Sequence, residues 1–372
     1  MNHVCITLKF LSLRNFAVLV TLLTMFACQN KLFGGQVQQA QTEPNYARTP
    51  SPSSALNLKA IPYKIVYETY QQTQGRPNWE LYTMNADGSE PNNLTKTPNL
   101  DELYPHVSPD CSKICFVVDE GTNRRNKVRS VYYMNIDGTG RVEVARNARE
   151  SCWSLDSKNI AYLKGEFERY NISEYATSGL YIYDLQTGKT RQHPNKALEH
   201  LYAICWSPDG KWFLGVVKGN SEYSDAILAI DANGPGVFDL AKWGVKGCRP
   251  DFSSDGKMIT WGNTDWDLCV GQIDFNSVEP KVTNIRKFAG CERDSKVYHV
   301  DFSPDGKYIA FTYGPFSGSQ TVGGFAQGWN ICVTDISGKW VQITTDGNNN
   351  KEPDWIPLSK PQPGQPQTKP AD

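Results

Sequence analysis

The hydrophobic positions of this chain repeat in blocks that share one internal order. An apolar anchor residue ends an alternating segment, a tight turn similar to Ser-Pro-Asp-Gly follows, and a second alternating segment comes next. The blocks are residues 104–116, 150–162, 203–215, 249–261, 299–311 and a shortened copy at 352–357. Their anchors are Val107, Trp153, Trp206, Phe252, Phe302 and Trp355, spaced 46, 53, 46, 50 and 53 residues apart. A period of this length predicts a solenoid or a propeller.

Each block predicts four strands. In the turn, Pro presets φ at the second position and Gly takes the residue that needs a positive φ, so the anchor strand is joined to an antiparallel second strand. A third strand is predicted at 130–138, 179–188 and 330–338, each ending in another Asp- or Gly-containing turn before a short fourth strand. Four antiparallel strands in each of six blocks predict an all-β, six-bladed β-propeller.

The shortened sixth block predicts how the ring closes. Only its first strand is present at 352–357, but segments near the other end of the chain match the missing strands. Residues 64–69 match a second strand, 79–88 a third and 93–95 a fourth. We therefore expect both termini to build the last blade, which leaves the sheet ring without an open edge.

The paired signatures W-S-P-D-G-K-x-I-A-F and L-Y-x-M-N-x-D-G resemble the repeats of TolB-like (WD40-like, PD40) propellers. The resemblance covers residues 60–357 and implies the six-bladed fold. It implies little about function, because this fold hosts both binding modules and accessory domains of enzymes. TolB carries an additional α/β domain before its propeller, whereas a low-complexity segment precedes the repeats in this chain.

The two ends of the chain predict export and flexibility. Lys9 and Arg14 precede a short apolar run at 16–27, which is typical of an export signal. The Cys28 that follows predicts a bacterial lipoprotein with a lipid-modified first residue; the alternative is an export signal, cleaved or retained as an anchor, with an incidental cysteine. The predicted divisions are 1–27 signal, 28–58 flexible tether, 59–357 propeller and 358–372 Pro-rich disordered tail. The expected location is the periplasm or the membrane to which the lipid attaches.

Charge adds one exclusion. The chain has 38 Lys and Arg against 39 Asp and Glu, a net charge of −1. A nearly neutral chain lacks the basic surface that nucleic acid binding requires. We expect no nucleic acid partner.

The residue before each anchor is the first candidate site. Equivalent positions of the innermost strands lie at one height around the axis, so these six side chains are expected to form a ring in or near the channel. The ring is His106, Cys152, Cys205, Asp251, Asp301 and Asp354. Imidazole, thiolate and carboxylate are metal ligands, so the ring predicts a ligand site or a divalent metal. The alternative is that the side chains bond to backbone or to channel water.

Long connections between second and third strands are the second candidate site. They occupy 119–130, 164–179 and 313–329, on the face opposite the tight turns. Long loops on a rigid scaffold often bind partners. The candidate residues are Arg124, Arg125, Phe167, Tyr170, Tyr175, Phe316, Phe325 and Trp329. The alternative for each aromatic residue is that it only packs its loop down.

Eight cysteines follow Cys28, and an exported chain tends to oxidise cysteines that lie within reach of each other. Cys152 and Cys205 lie at equivalent positions of neighbouring blocks, and other pairs of cysteines also occupy equivalent positions. Equivalence does not guarantee bridging distance, so disulfides and buried thiols both stay open.

No catalytic motif is present. The sequence lacks a G-x-S-x-G elbow, an H-E-x-x-H pair and a phosphate-binding loop. The leading hypothesis is a non-catalytic binding module of the cell envelope that presents its long loops and channel to a protein or peptide. The alternative is a carbohydrate-binding protein or a polysaccharide lyase that uses loop aromatics and a channel metal.

Overall fold

The computed structural model describes residues 46–71, 76–121, 127–165, 177–217, 226–277, 279–316 and 328–358. The strands run along the chain as β1 (Tyr63–Gln71), β2 (Asn78–Asn85), β3 (Asn92–Asn93), β4 (Asp101–Val107), β5 (Lys113–Glu120), β6 (Val128–Asn135), β7 (Val142–Arg146), β8 (Ala148–Trp153), β9 (Asn159–Gly165), β10 (Thr177–Asp184), β11 (Thr190–Gln192), β12 (Leu201–Trp206), β13 (Trp212–Val217), β14 (Ala226–Asp231), β15 (Val237–Asp239), β16 (Cys248–Phe252), β17 (Met258–Gly262), β18 (Asp267–Asp274), β19 (Lys281–Gly290), β20 (Ser295–Phe302), β21 (Tyr308–Pro315), β22 (Asn330–Asp335), β23 (Trp340–Gln342) and β24 (Asn349–Pro357). Three 3₁₀ turns lie at Ser53–Ala55, Leu58–Ala60 and Leu240–Trp243. Among the described residues, no helix is long and apolar enough to span a membrane.

These strands form six antiparallel four-stranded sheets, which confirms the predicted propeller. Blades 1 to 5 are β4–β7, β8–β11, β12–β15, β16–β19 and β20–β23. Blade 6 has the order β24-β1-β2-β3, so both ends of the described chain build it, as the shortened sixth block predicts. Ile65 of β1 pairs with Trp355 of β24 in this closure.

The repeated turn owes its sequence to one hydrogen-bonded motif. In blade 5, the Ser303 hydroxyl donates to Asp305 Oδ1 at 2.7 Å and accepts the Tyr308 backbone N–H at 2.9 Å. Gly306 closes the turn at a φ of +69°. Blades 1 to 4 repeat the Ser-to-Asp bond. The motif recurs because every blade needs the same reversal between its first two strands.

Each innermost strand also contains a bulge that the local sequence does not predict. In β4, β16 and β20 the register shifts between the fourth and the first residue before the anchor, and the other three blades shift within five residues of theirs. In five blades the residue three positions before the anchor has a φ between 41° and 54° although it is not glycine. These residues are Tyr104, Glu150, Arg249, His299 and Glu352. Such backbone conformations cost on the order of 1–2 kcal/mol each and need support from surrounding structure.

The segment before β1 packs against the propeller, and in this respect it differs from the predicted tether. Ser51 donates its backbone N–H to Trp340 O at 2.7 Å, and the Trp340 indole donates to Ala47 O at 3.1 Å. Leu58 and Ile61 are buried against blades 5 and 6. Residues 46–58 therefore belong with the propeller; irregular chain that packs on a sheet shows no periodicity to reveal this. Residues 1–45 and 359–372, with Cys28, lie outside the described residues.

Candidate functional site

A cavity of about 390 Å³ lies at the end of the channel where the tight turns are. Side chains from all six innermost strands and their turns line it in three tiers. Two positions after the anchors lies the rim: Pro109, Leu155, Pro208, Ser254, Pro304 and Pro357. One position before the anchors lies the middle ring: His106, Cys152, Cys205, Asp251, Asp301 and Asp354. Three positions before the anchors lies the floor: Glu150, Ala203, Arg249, His299 and Glu352. The structure thus brings all six predicted ring residues into one cavity.

Two aspartates of the middle ring hold neighbouring blades together. Asp251 Oδ2 accepts the backbone N–H of Phe302 at 2.9 Å, which joins blade 4 to blade 5. Asp354 Oδ2 accepts the backbone N–H of Val107 at 2.6 Å, which joins blade 6 to blade 1. The backbone-bonding alternative therefore accounts for part of what these two carboxylates do. Both carboxyl groups also line the cavity, and a carboxylate can accept about four hydrogen bonds in total.

Asp301 and Asp354 form a hydrogen-bonded carboxyl pair. Burial raises the pKa of Asp354 to about 6, and burial together with the charges of Asp354 and Asp251 raises the pKa of Asp301 well above its usual range. Burial likewise raises the pKa of Asp251 to about 7. Since two adjacent carboxylates repel each other, the pair shares a proton, which Asp301 carries and donates to Asp354.

His106 stands beside this pair. Its Nδ1 lies 3.8 Å from Asp354 Oδ2. Burial lowers the pKa of His106 to about 4, so its imidazole is neutral at pH 7. Ligand atoms of His106, Asp301 and Asp354 all lie within 4.8 Å of one another. Within the described parts of the chain, the two ring cysteines join no such group. The divalent-metal hypothesis stays a prediction. The candidate metal ligands are reduced from the six ring residues to these three.

The cysteines of the middle ring are free thiols, of which Cys152 is buried and Cys205 is partly buried. Burial raises the pKa of both Cys152 and Cys205 well above the usual thiol value, so both are protonated at neutral pH. All eight cysteines of the described residues are free thiols, six of them buried and two, Cys205 and Cys248, partly buried. Where the sequence left disulfides and buried thiols open, the structure has free thiols.

The floor is a charged network that the sequence reading missed. Arg249 of blade 4 lies 3.6 Å from Glu150 of blade 2 and 3.3 Å from Glu352 of blade 6. The His299 Nε2 of blade 5 lies 2.8 Å from Glu352 Oε1, and the Arg249 guanidinium lies 5.1 Å from the centre of the Tyr104 ring of blade 1. Side chains from five blades therefore meet across the channel. The signal available in the sequence was the position three residues before the anchor, which holds Glu150, Arg249, His299 or Glu352 in four of the six blocks.

The long-loop face is described at two of its eight candidates. Phe316 is 41% exposed, with Lys296 Nζ lying 4.7 Å from its ring centre. Trp329 is completely buried and packs against Gly314, where an added Cβ would meet its ring at 2.5 Å. Trp329 is thus buried against β21 and is inaccessible to a partner in this conformation. Six candidates lie outside the described residues: Arg124, Arg125, Phe167, Tyr170, Tyr175 and Phe325.

Comparisons with known proteins support the fold. A family model described as eukaryotic translation initiation factor eIF2A matches residues 150–315, less than half of the chain. No curated protein matches. TolB from Acinetobacter baumannii has a similar structure, with a TM-score of 0.55 and 18% identity, covering 79% of this chain and 67% of TolB.

Two further structures resemble this one in fold. Hydrazine synthase from Kuenenia stuttgartiensis has a TM-score of 0.52 and 11% identity over 80% of this chain and 47% of its own. A chain of the nidogen/laminin complex has a TM-score of 0.53 and 9% identity over 79% of this chain and 99% of its own. At these identities the likeness concerns the fold alone. The chain is a six-bladed propeller with a fold similar to that of TolB, as the repeat signatures predicted.

Proposed function

We propose that this chain is a non-catalytic binding module of the cell envelope, which takes part of a protein or peptide partner into the cavity. The observation that carries the proposal is the cavity itself. Its 390 Å³ lies within the range of ligand pockets, its rim is apolar in five of six blades, and a charged floor ends it. The proposal extends the sequence-based hypothesis by moving the contact from the long loops to the tight-turn face.

The fold and the N-terminus support the envelope setting. TolB shares the fold, and a nidogen/laminin complex contains a chain of that fold. The basic residues and apolar run before Cys28 are the reason to propose export, with the lipid on Cys28 as an anchor. In this setting the propeller recruits a partner rather than transforming a substrate.

A pull-down from envelope extracts tests the proposal. The purified chain is compared with Cys205→Trp, which fills the cavity, and with Leu155→Arg, which alters a rim residue that is 57% exposed. We expect both variants to lose the partner while Phe316→Ser, on the opposite face, keeps it. Loss with Phe316→Ser and retention with both cavity variants would place the binding surface on the long loops. Thermal unfolding of each variant checks that it folds.

The glycan alternative is separated by treating the extract. Capture that survives glycosidases and disappears on proteolysis supports a protein partner. Capture that shows the reverse pattern supports the carbohydrate-binding alternative, for which the loop aromatics were the sequence argument.

A divalent cation is the alternative occupant of the cavity. If one binds, His106, Asp301 and Asp354 are the proposed ligands, and it would be detected by elemental analysis of the purified chain. A metal content that falls to background in His106→Ala but stays unchanged in Cys152→Ser with Cys205→Ser would support this subset. Equal metal content in all variants would rule out this set of ligands.

A further inference from the structure

The cavity has an excess of acidic groups. Its charged lining consists of five carboxyl groups and one guanidinium, with two histidines. The carboxyl groups belong to Glu150, Asp251, Asp301, Glu352 and Asp354, and the guanidinium to Arg249. The walls of a cleft lined by one sign of charge concentrate counter-ions of the opposite sign.

The single guanidinium is engaged below the middle ring. Arg249 lies 3.3 Å from Glu352 and 3.6 Å from Glu150, so its charge is matched within the floor. Above it, the closest basic side chain to the aspartates among the described ion pairs is His106, 3.8 Å from Asp354. Among the ion pairs of the described residues, neither a lysine nor an arginine is paired with the three aspartates of the middle ring. This arrangement favours a positively charged occupant, because carboxylates attract a cation and form charge-assisted hydrogen bonds with it.

The rim adds a second requirement for the occupant. Four prolines and a leucine that is 57% exposed surround the opening above the aspartates. Rim and middle ring are three residues apart along the chain, which is at most roughly 11 Å. A lysine or arginine side chain has this form, since its aliphatic stem covers apolar surface while its charged head reaches a polar site.

We propose that the cavity binds a basic side chain, lysine or arginine, from an extended peptide segment of the partner, with the stem against the rim and the head group against Asp251, Asp301 and Asp354. The inference rests on the proposed binding function and specifies its ligand chemistry. The cavity volume of 390 Å³ exceeds the volume of one lysine or arginine side chain, so neighbouring residues of the peptide enter the cavity together with the basic side chain.

Capped amino acids test the inference directly. The probes are N-acetyl-lysine N-methylamide, its arginine counterpart and the norleucine analogue, which keeps the stem of lysine and lacks its charge. Saturation-transfer NMR on the purified chain measures their binding. We expect lysine and arginine to bind and norleucine to bind about tenfold more weakly or not at all. Equal binding of lysine and norleucine, or no binding of either basic probe, would overturn the inference.

Two variants assign the binding to the aspartates. Asp251→Asn with Asp301→Asn keeps the shape, the acceptor for the Phe302 N–H and the donor to Asp354, but removes two carboxyl groups. We expect about tenfold weaker binding of the lysine probe. Glu143→Gln on the exposed outer strand β7 is the matched control and should bind as the unmodified chain does. Unchanged binding in the double variant contradicts the inference.

Two further results separate neighbouring explanations. Binding of the lysine probe that disappears after chelation with EDTA would indicate a metal bridge and overturn direct recognition. If the partner is lost from Cys205→Trp while no basic probe binds, the proposed function holds and the basic-side-chain inference fails. If neither cavity variant affects the partner, the proposed function fails, whatever the probes do.

Discussion

At the scale of single residues, the ring positions do two things. Asp251 and Asp354 accept backbone N–H groups from the next blade, and this structural role explains why an acid before an aromatic anchor recurs. Asp301 accepts no such bond among the described contacts and instead forms the carboxyl pair with Asp354. Its side chain therefore bonds within the middle ring.

Replacing Asp301 by asparagine should stabilise the protein at high pH. The folded pKa of Asp301 lies above its unfolded value, so the folded chain holds a proton that the unfolded chain releases above about pH 4. The stability of the unmodified chain therefore falls as the pH rises from about 4 toward the folded pKa. Asp301→Asn removes this dependence, because the amide donates to Asp354 without ionising.

Urea unfolding followed by tryptophan fluorescence measures the effect. We expect the variant to exceed the unmodified chain by on the order of 1 kcal/mol at pH 8, the scale of one buried polar contact, and to match it at pH 4. Glu143→Gln serves as the control with no change at either pH. A variant that is less stable at pH 8 would show that Asp301 is ionised in the fold.

At the scale of elements, the sequence predicts those features whose cause lies in adjacent residues and does not predict those that depend on other blades. The turn after each anchor depends on a few adjacent residues, so Ser303 to Gly306 reveals it directly. The bulge that turns Arg249 and Glu352 toward each other depends on other blades, and no local residue type marks it. For the same reason residues 46–58 read as a tether, since their partners lie far along the chain. The middle ring was predictable because the repeat gives equivalent positions.

The turn makes a prediction of its own at Gly306. An added Cβ would have no neighbour within 4 Å, so the only cost of a side chain is its φ of +69°. We expect Gly306→Ala to destabilise the fold by about 1 kcal/mol and Gly306→Asn by less, because asparagine tolerates this conformation better. Chemical unfolding of both variants measures the difference.

Other blades show that the turn tolerates a side chain at this position. Cys111 and Ser157 occupy the equivalent turn position with φ values of 57° and 58°. If Gly306→Ala unfolds at the same urea concentration as the unmodified chain, the turn is not the reason for glycine at this position.

At the scale of the whole molecule, the fold has two systems that join parts of the chain far apart in sequence. The first is the mixed blade 6, in which β24 pairs with β1. The second is the floor, where Arg249 links blades 2, 4 and 6 through Glu150 and Glu352. The first holds the ends of the ring together, and the second fixes opposite sides of the channel relative to each other. The cavity above the floor therefore has a rigid base.

The floor supports the last prediction. Arg249→Met removes the guanidinium that lies between the buried side chains of Glu150 and Glu352, which should cost roughly 3–5 kcal/mol of unfolding free energy. Replacing both glutamates by glutamine in the same chain removes their charge, so the triple variant should regain most of the loss. Urea unfolding at pH 7.5 compares the three proteins. A triple variant no more stable than Arg249→Met would mean that the methionine disrupts packing, and that the loss has little to do with charge. A triple variant that recovers stability while still binding the basic probes would separate the floor, which holds the ring together, from the aspartates above it, which select the ligand.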